Sequence, residues 1–150
     1  MPVPPPSVAD TAELAGRLRL AITRLARQLR QTSDADLSPT QASVLATVGA
    51  SGPLTLGELA ELERVASPTI TKVIALLHER GLVDKIPDPD DRRFVRVQLT
   101  RDGAALVERA RARKTAWLAR QLEELSPDEL ERLVAATEVL EHLTARRVAR

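Results

Sequence analysis

Apolar residues recur in steps of three and four near both ends of the chain, which is the spacing of one face of an α-helix. Residues 8–31 form the first such stretch, residues 100–124 the second, and the third begins at Ser126. The pattern predicts three long amphipathic helices, whose apolar stripes need a partner to cover them. That partner is either the chain's own core or a second subunit. The stripe residues predicted to meet a second subunit are Leu14, Leu18, Ile22, Leu133, Leu140 and Leu143.

Start signals between these flanks predict three shorter helices, which begin near Ser38, Thr55 and Ser67. In the first two, a capping box pairs the starting residue with Gln41 or Glu58, three positions further on. In the third, the Ser67 hydroxyl is expected to accept an orphan N–H group, and the proline that follows is tolerated in a first helical turn. That helix is predicted to end at Gly81, because glycine readily adopts the left-handed conformation found after a helix. Its buried face is predicted to hold Ile70, Val73, Ile74 and Leu77.

A two-stranded ribbon is predicted after the third short helix, with strands at 82–86 and 94–99. Apolar and polar residues alternate along the second strand, as they do when one face of a strand is buried. The turn between the strands, residues 87–91, is rich in proline and aspartate and cannot be helical. It leads directly into Arg92 and Arg93, so two arginines lie at or beside the tip of a projecting hairpin.

The polar residues of this middle region suit contacts with DNA. Small hydroxyls can approach base edges and phosphates closely, and a lysine adds a mobile positive charge. Arginine on a thin hairpin suits a narrow, electronegative minor groove. The residues predicted to contact DNA are Arg64, Ser67, Thr69, Thr71, Lys72, Arg92, Arg93 and Arg96.

Two plainer interpretations compete with DNA binding. The third short helix is equally well read as an ordinary core helix with a polar start. The plainer interpretation of the hairpin tip is a solvated turn in which aspartates neutralise the arginines. Asp91 is expected to do part of this, by holding an arginine in one orientation as an ion pair.

Composition narrows the classes of function. The net charge of the 150-residue chain is only +1, which argues against a sequence-blind basic coat for nucleic acid. The segment 64–101 nevertheless carries +3 and the remainder −2, so the basic excess lies where the DNA contacts are predicted. The absence of cysteine excludes disulfides, thiolate zinc sites and thiol redox sensing. Two aromatic residues are too few for a protein that binds single strands by base stacking.

The sequence shows no catalytic or metal-binding constellation. His78 and His142 lie in different predicted helices without nearby ligand-spaced carboxylates, and no phosphate loop or nucleophile elbow occurs. We therefore expect no enzyme activity, no cofactor and no metal. Apolar runs are far shorter than a membrane span requires, and the proline-rich start lacks the features of a signal peptide, so a cytoplasmic location is expected.

The order of these elements resembles the MarR family of bacterial transcription regulators. The specific part of the resemblance is Asp91-Arg92-Arg93 followed by the sequence Val-Gln-Leu-Thr-Arg-Asp-Gly at 97–103. The resemblance implies a dimeric winged-helix repressor in which Arg93, the second arginine of the motif, enters the minor groove of DNA. The chain departs from the family's pattern where Ala75-Leu76 replaces an acidic and a basic residue that often stand there.

The resemblance also implies two features that the residues alone do not fix. One is a short third strand at Leu54, paired with the ribbon. The other is a small aromatic or phenolic effector that binds between the dimer helices and the DNA-binding domain. It changes the spacing of the two recognition helices, which are the third short helices of the two subunits.

The predicted fold is mainly α with a small β-wing, a winged helix-turn-helix dimerised through its N- and C-terminal helices. Residues 1–7 form a flexible proline-rich arm, 8–37 a dimerisation helix and connector, 38–100 the DNA-binding domain, and 101–150 the C-terminal dimerisation helices. Such a homodimer reads a pseudo-palindrome in double-stranded DNA, with half-sites about 10 bp apart. The alternative function is a winged-helix scaffold for protein–protein contacts that binds no specific DNA.

Overall fold

The computed structural model describes residues 8–32 and 36–145, which form six helices and three short strands. The elements follow one another as α1 (Val8–Gln31), α2 (Pro39–Ser51), β1 (Leu54–Thr55), α3 (Leu56–Glu63), α4 (Ser67–Glu79), β2 (Val83–Pro87), β3 (Val95–Leu99), α5 (Arg101–Leu122) and α6 (Pro127–Ala145). The prediction of a mainly helical chain with a small β-wing is confirmed. The predicted arm at 1–7 lies outside the described residues.

Capping boxes set the start of two short helices, as predicted. At α2, the N–H of Gln41 donates to Ser38 Oγ at 3.2 Å, and the Gln41 side chain accepts the Ser38 N–H at 3.0 Å. At α3, Thr55 and Glu58 make the same reciprocal pair at 3.2 and 2.7 Å. These contacts are local in sequence, so a start signal is enough to place them.

The expected cap at Ser67 is wrong. Ala66 is the capping residue of α4 and makes no side-chain cap, and Ser67 is already the first helical residue. The extended backbone of Ala66 places its carbonyl oxygen to accept the N–H of Thr69 at 2.9 Å, so the helix begins one residue earlier than the serine hydroxyl suggested. The Ser67 hydroxyl is therefore left on the exposed surface of the first turn.

The three strands form one antiparallel sheet in the order β1-β3-β2. Leu54 of β1 and Lys85 of β2 both lie opposite Val97 of the central strand. The third strand that the resemblance implied is thus confirmed, and the two predicted ribbon strands shift by only one residue at their ends. Val97 is fully buried, but Val95 is 41% exposed and Leu99 is only partly buried, so the apolar alternation along β3 predicts its buried face at the central residue alone.

The hydrophobic core lies entirely in the middle of the chain. Its buried apolar residues are Val44, Leu45, Val48, Leu54, Leu59, Ala60, Ile70, Val73, Ile74, Leu77, Leu82, Val83 and Val97. They come from α2, α3, α4, the sheet and the α4–β2 turn, and they include all four residues predicted for the buried face of α4. The core is therefore the scaffold of the helix-turn-helix and the wing.

The chain divides into two compact units, residues 1–114 and 115–150, and the division falls within α5. Within the described part of the first unit, no side chain of α1 belongs to the core cluster, and Leu14 and Ile22 are 56% and 49% exposed. In the second unit, α6 has no buried residue, and Leu143 is 55% exposed. The apolar stripes predicted for α1 and α6 are thus present and largely uncovered within one chain. No described helix is long and apolar enough to cross a membrane.

Candidate nucleic-acid interface

The turn between α3 and α4 is held in a conformation that few side chains adopt. Arg64 has φ 54° and ψ 43°, in the left-handed region, although it is not a glycine. The N–H of Val65 donates to the Ala60 carbonyl oxygen at 3.1 Å, which closes the end of α3. A residue in this region costs on the order of 1–3 kcal/mol, so the surrounding structure must fix it.

Glu63, the last residue of α3, supplies part of that fixation. Its carboxylate accepts hydrogen bonds from Ser43 Oγ at 2.7 Å and from Thr47 Oγ1 at 2.5 Å, both on α2. Sequence reasoning missed this contact, because the partners lie 16 and 20 residues away and nothing local signals their meeting. The two hydroxyls fasten α3 to α2 immediately before the strained Arg64.

The first two turns of α4 present the hydroxyls and the lysine that were singled out from the sequence. Ser67, Thr69, Thr71 and Lys72 are all exposed, whereas Ile70 on the opposite face is fully buried. The Thr71 hydroxyl donates to the Ser67 carbonyl oxygen at 3.0 Å, so its oxygen remains free only to accept. The Ser67 and Thr69 side chains make no hydrogen bond to any part of the chain that the structure describes.

The wing turn is built around Asp88, a buried carboxylate that sequence reasoning did not identify. Asp88 is 6% exposed, and its Oδ1 accepts the N–H groups of Asp90 and Asp91 at 2.8 and 3.0 Å. These two backbone donors are the main reason that the pKa of Asp88 lies below its usual value. An aspartate followed by turn residues is a signal for this arrangement, because its side chain can accept the N–H groups two and three residues on.

Arg96 joins this turn to the helix-turn-helix. Its Nε donates to Asp88 Oδ2 at 2.5 Å, and its Nη1 lies 3.1 Å from the Pro53 carbonyl oxygen and 3.5 Å from Glu58 Oε2. Hydrogen bonding to Asp88 raises the pKa of Arg96, so the guanidinium stays charged. Arg96 is one of the residues predicted to contact DNA, but its side chain is only 26% exposed and is engaged with these three groups. A DNA contact by Arg96 stays a prediction.

Arg93 is held by the ion pair expected for Asp91. The Arg93 Nη2 atom lies 2.7 Å from Asp91 Oδ2, and the backbone N–H of Arg93 donates to Asp91 Oδ1 at 3.0 Å. The hydrogen bonds from the guanidinium are the main reason that the pKa of Asp91 is lowered. The Arg93 side chain nevertheless remains 86% exposed, so it is oriented by the pair without being covered.

The structure places the eight predicted DNA contacts in four parts of the chain. Four lie on α4, Arg64 lies in the strained turn before it, and Arg92 and Arg93 lie on the exposed wing turn. Arg96 lies apart from these groups, at the base of the wing. Among the described residues, no group of histidine, cysteine, aspartate and glutamate side chains could hold a metal ion.

Known proteins are similar to this chain in sequence. The model of the MarR family matches residues 37–95. An uncharacterized HTH-type transcriptional regulator of Mycobacterium bovis is 42% identical over 130 residues, which cover 86% of this chain and 91% of that protein. The multiple antibiotic resistance protein MarR of Salmonella typhimurium is 33% identical over 99 residues, which cover 65% of this chain and 69% of that protein.

Solved structures agree with the fold described above. A MarR family protein from Bacillus stearothermophilus superposes with a TM-score of 0.79 at 25% identity, covering 94% of this chain and 99% of that one. A variant of MepR from Staphylococcus aureus, solved with a bound oligodeoxyribonucleotide, superposes with a TM-score of 0.66 at 22% identity, covering 87% and 97%. At that identity, the second likeness shows the fold alone.

Replacing Asp88 with asparagine is expected to destabilise the wing in a pH-dependent way. The carboxamide cannot accept from both backbone N–H groups and from Arg96, so the free energy of unfolding should fall at pH 7. Because the pKa of Asp88 is lowered in the folded chain, the wild-type advantage is present above about pH 4 and disappears as pH falls further. Chemical denaturation across pH at fixed chain concentration measures this.

Asp84→Asn serves as the matched control for Asp88→Asn, because Asp84 is an exposed aspartate on the same strand, β2. That variant should keep the wild-type stability at every pH. Hydrogen exchange supplies a local readout, because the amides of Asp90 and Asp91 should exchange faster in Asp88→Asn alone. Equal stability of the Asp88 variant and the wild type at pH 7 would contradict the anchoring role of this carboxylate.

Proposed function

Because this chain belongs to the MarR family of HTH-type transcriptional regulators, we propose that it is a homodimeric repressor that binds a pseudo-palindromic operator in double-stranded DNA and is released by a small-molecule ligand. The observation that carries the proposal is the pairing of two exposed polar surfaces on one small core. One surface is the hydroxyl-rich start of α4, and the other is the wing turn that carries Arg93.

The start of α4 is assigned to the major groove. The hydroxyls of Ser67 and Thr69 are uncommitted and can donate or accept, whereas Thr71 can only accept, for example from an exocyclic amine of adenine or cytosine. Lys72 adds a charge for a phosphate or for the acceptors of guanine. Arg64, in the turn just before α4, is assigned to the phosphate backbone, where fixed backbone geometry aims its charge.

Arg93 is assigned to the minor groove, with Arg92 beside it. The Asp91 carboxylate holds the Arg93 guanidinium in one direction, which reduces the entropy lost when the side chain binds. The Asp88–Arg96 pair sets the position of the whole turn against the start of α3. In this proposal Arg96 positions the wing as its main role.

A second copy of the chain is assigned to the uncovered stripes. Leu14 and Ile22 on α1 and Leu133 and Leu143 on α6 are each at least 40% exposed, and Leu18 and Leu140 are half-buried. Exposed apolar stripes on long helices favour association, since burying them removes apolar surface from water. A two-fold dimer presents two DNA-binding domains, which suit half-sites about 10 bp apart.

A cavity in the first unit suits the ligand. It has a volume of about 350 Å³, and its walls are Arg30, Leu37, Pro39, Ala42, Ser43, Ala46 and Lys114. That volume lies within the range of small-molecule sites, roughly 300–1,000 Å³. Apolar walls with two cationic side chains suit an aromatic ring that carries an acidic group.

The same cavity borders the contact that fixes the helix-turn-helix. Ser43 lines the cavity and also donates to Glu63, the last residue before the strained Arg64. A ligand that moves Ser43 would loosen the end of α3 and alter the aim of α4. This gives a direct route from ligand binding to loss of operator affinity.

Replacing Arg93 with alanine should weaken operator binding by about 1–3 kcal/mol, as expected for one well-made groove contact. The test uses a duplex that the wild-type protein selects from a random pool, with affinity measured at several salt concentrations. The slope of log affinity against log salt should fall by about one charge. Arg109→Ala, which removes an exposed arginine of α5, is the matched control and should bind like the wild type.

Three outcomes of that selection bear on the function itself. A two-fold symmetric motif supports the dimeric regulator. Binding without sequence preference, with a steep salt dependence, would mean phosphate contacts alone and would overturn the operator proposal. No DNA binding at all would favour the winged-helix scaffold for protein contacts.

Replacing Leu140 with aspartate should separate the dimer and abolish operator binding indirectly. The variant places a charge in the apolar stripe of α6, and burying an unpaired carboxylate in an interface is costly. Analytical ultracentrifugation should show a monomer, while far-UV circular dichroism should retain the helical signal. Ala135→Asp, an exposed alanine on another face of α6, is the control and should stay dimeric. A dimeric Leu140 variant would remove this interface assignment.

Benzoate is expected to lower operator affinity about fivefold or more at saturation, within the usual range of coupling between two sites. Its neutral isostere benzamide should act more weakly, because only the anion interacts with the charges of Arg30 and Lys114. Lys114→Met should lose the response, whereas Lys85→Met, an exposed lysine of β2, should keep it. Equal responses of the two variants would place the ligand elsewhere.

A further inference from the structure

The wing carries a large apolar side chain that the chain itself leaves exposed. Phe94 is 57% exposed and Val95 is 41% exposed, directly after the two wing arginines. Exposing most of an aromatic ring to water is unfavourable, and buried aromatic rings contribute strongly to interfaces. Neither the core nor the ion pairs of the wing explain why a phenylalanine stands here.

The position of Phe94 is fixed by the wing turn. Its N–H donates to the Asp91 carbonyl oxygen and its carbonyl oxygen accepts the Asp88 N–H, each at 3.0 Å. These two aspartates also hold Arg96 and Arg93, so one turn fixes the backbone that carries the ring and orients the adjacent guanidinium. Phe94 is therefore presented by a rigid turn, which lowers the entropy lost on binding.

A shallow groove of about 330 Å³ opens beside the ring, lined by Thr55, Leu56, Gly57, Arg93, Phe94 and Val95. Its apolar wall lies next to an arginine that is 86% exposed, and Arg92 is exposed beside it. A strand of DNA complements both features, because its anionic phosphates match the arginines and the C–H surface of its deoxyribose rings matches the apolar wall. A purely apolar protein segment would present no anionic group to either arginine.

We propose that Phe94 packs against the deoxyribose rings that wall the minor groove entered by Arg93, and so supplies an apolar part of operator affinity. The inference rests on the proposed DNA-binding function and adds an apolar contact to the charged contacts already assigned. Apolar side chains beside cationic ones are a general means of gripping the minor groove. Because a sugar contact releases no counterions, it should contribute affinity that does not depend on salt.

The test is the affinity of Phe94→Ala for the duplex that the wild-type protein selects from a random pool, measured from low to high salt. Affinity should fall about tenfold, since roughly half of a phenyl ring loses its burial. The slope of log affinity against log salt should stay at the wild-type value, in contrast to Arg93→Ala. The heat-capacity change of binding should also become less negative.

Two further variants make the result specific. Phe94→Leu keeps an apolar side chain and should recover much of the affinity. Leu62→Ala removes a side chain that is 56% exposed on α3, nearly the same exposure as that of Phe94, and should bind like the wild type. Thermal unfolding without DNA should be similar for all three variants, because none of these side chains lies in the core.

Each outcome decides the proposal. Unchanged affinity in Phe94→Ala, together with weakened Arg93→Ala, would overturn the sugar contact and leave the proposed function standing. Wild-type protein that selects no specific duplex would overturn both. A changed oligomeric state of Phe94→Ala in ultracentrifugation would mean that the ring covers a second copy, and this would also overturn the proposal.

Discussion

The ion pair between Asp88 and Arg96 is the interaction on which the geometry of the DNA-reading unit depends. Asp88 closes the wing turn by accepting two backbone N–H groups. Arg96, which is paired with Asp88, also donates to the Pro53 carbonyl oxygen and lies beside the Glu58 carboxylate. Glu58 is itself half of the capping box that starts α3. A two-stranded ribbon alone is at best marginally stable in water. The pairing of β3 with β1 and the burial of Val97 hold the wing on the core, and the bonds from its base to the first helix of the helix-turn-helix add to this.

A comparable role belongs to Glu63 at the other end of the same helix. Ser43 and Thr47 hold its carboxylate against α2, and the strained Arg64 follows at once. The short helix α3 is thus fixed at its start to the wing and at its end to α2. The eight-residue helix α3 therefore links the base of the wing, α2 and the turn that leads into α4.

The parts of this fold that the sequence predicts are those with local causes. Capping boxes at Ser38 and Thr55 and the glycine that ends α4 all depend on residues within four positions of one another. The start of α4 was misplaced by one residue, because the backbone of Ala66 supplies the first acceptor and the serine hydroxyl is not needed.

The part that could not be predicted is which charged residue meets which. Arg96 stands in a basic segment and looks the same in the sequence as the arginines beside it, so the sequence predicts a DNA contact for it as for them. Asp88 and Glu58 are separated from Arg96 by 8 and 38 positions in the sequence, so only the fold brings them to its side chain. The pair of Asp91 and Arg93 was foreseeable, because two residues in one turn need no fold to bring them together.

The pairing of Asp91 with Arg93 does not prevent the arginine from reading DNA. An exposed ion pair contributes little to stability, with a median of about 0–1 kcal/mol, so its value lies in direction. The carboxylate engages Nε and Nη2 and leaves the Nη1 edge of the guanidinium free to donate. The negative charge also weakens general attraction to phosphates, so Arg93 gains most where a narrow groove surrounds it. With Arg96 engaged at the base of the wing, the DNA contact proposed for this turn combines an oriented cation with an apolar ring, and such a combination would favour shape-dependent recognition of a groove over simple attraction to charge.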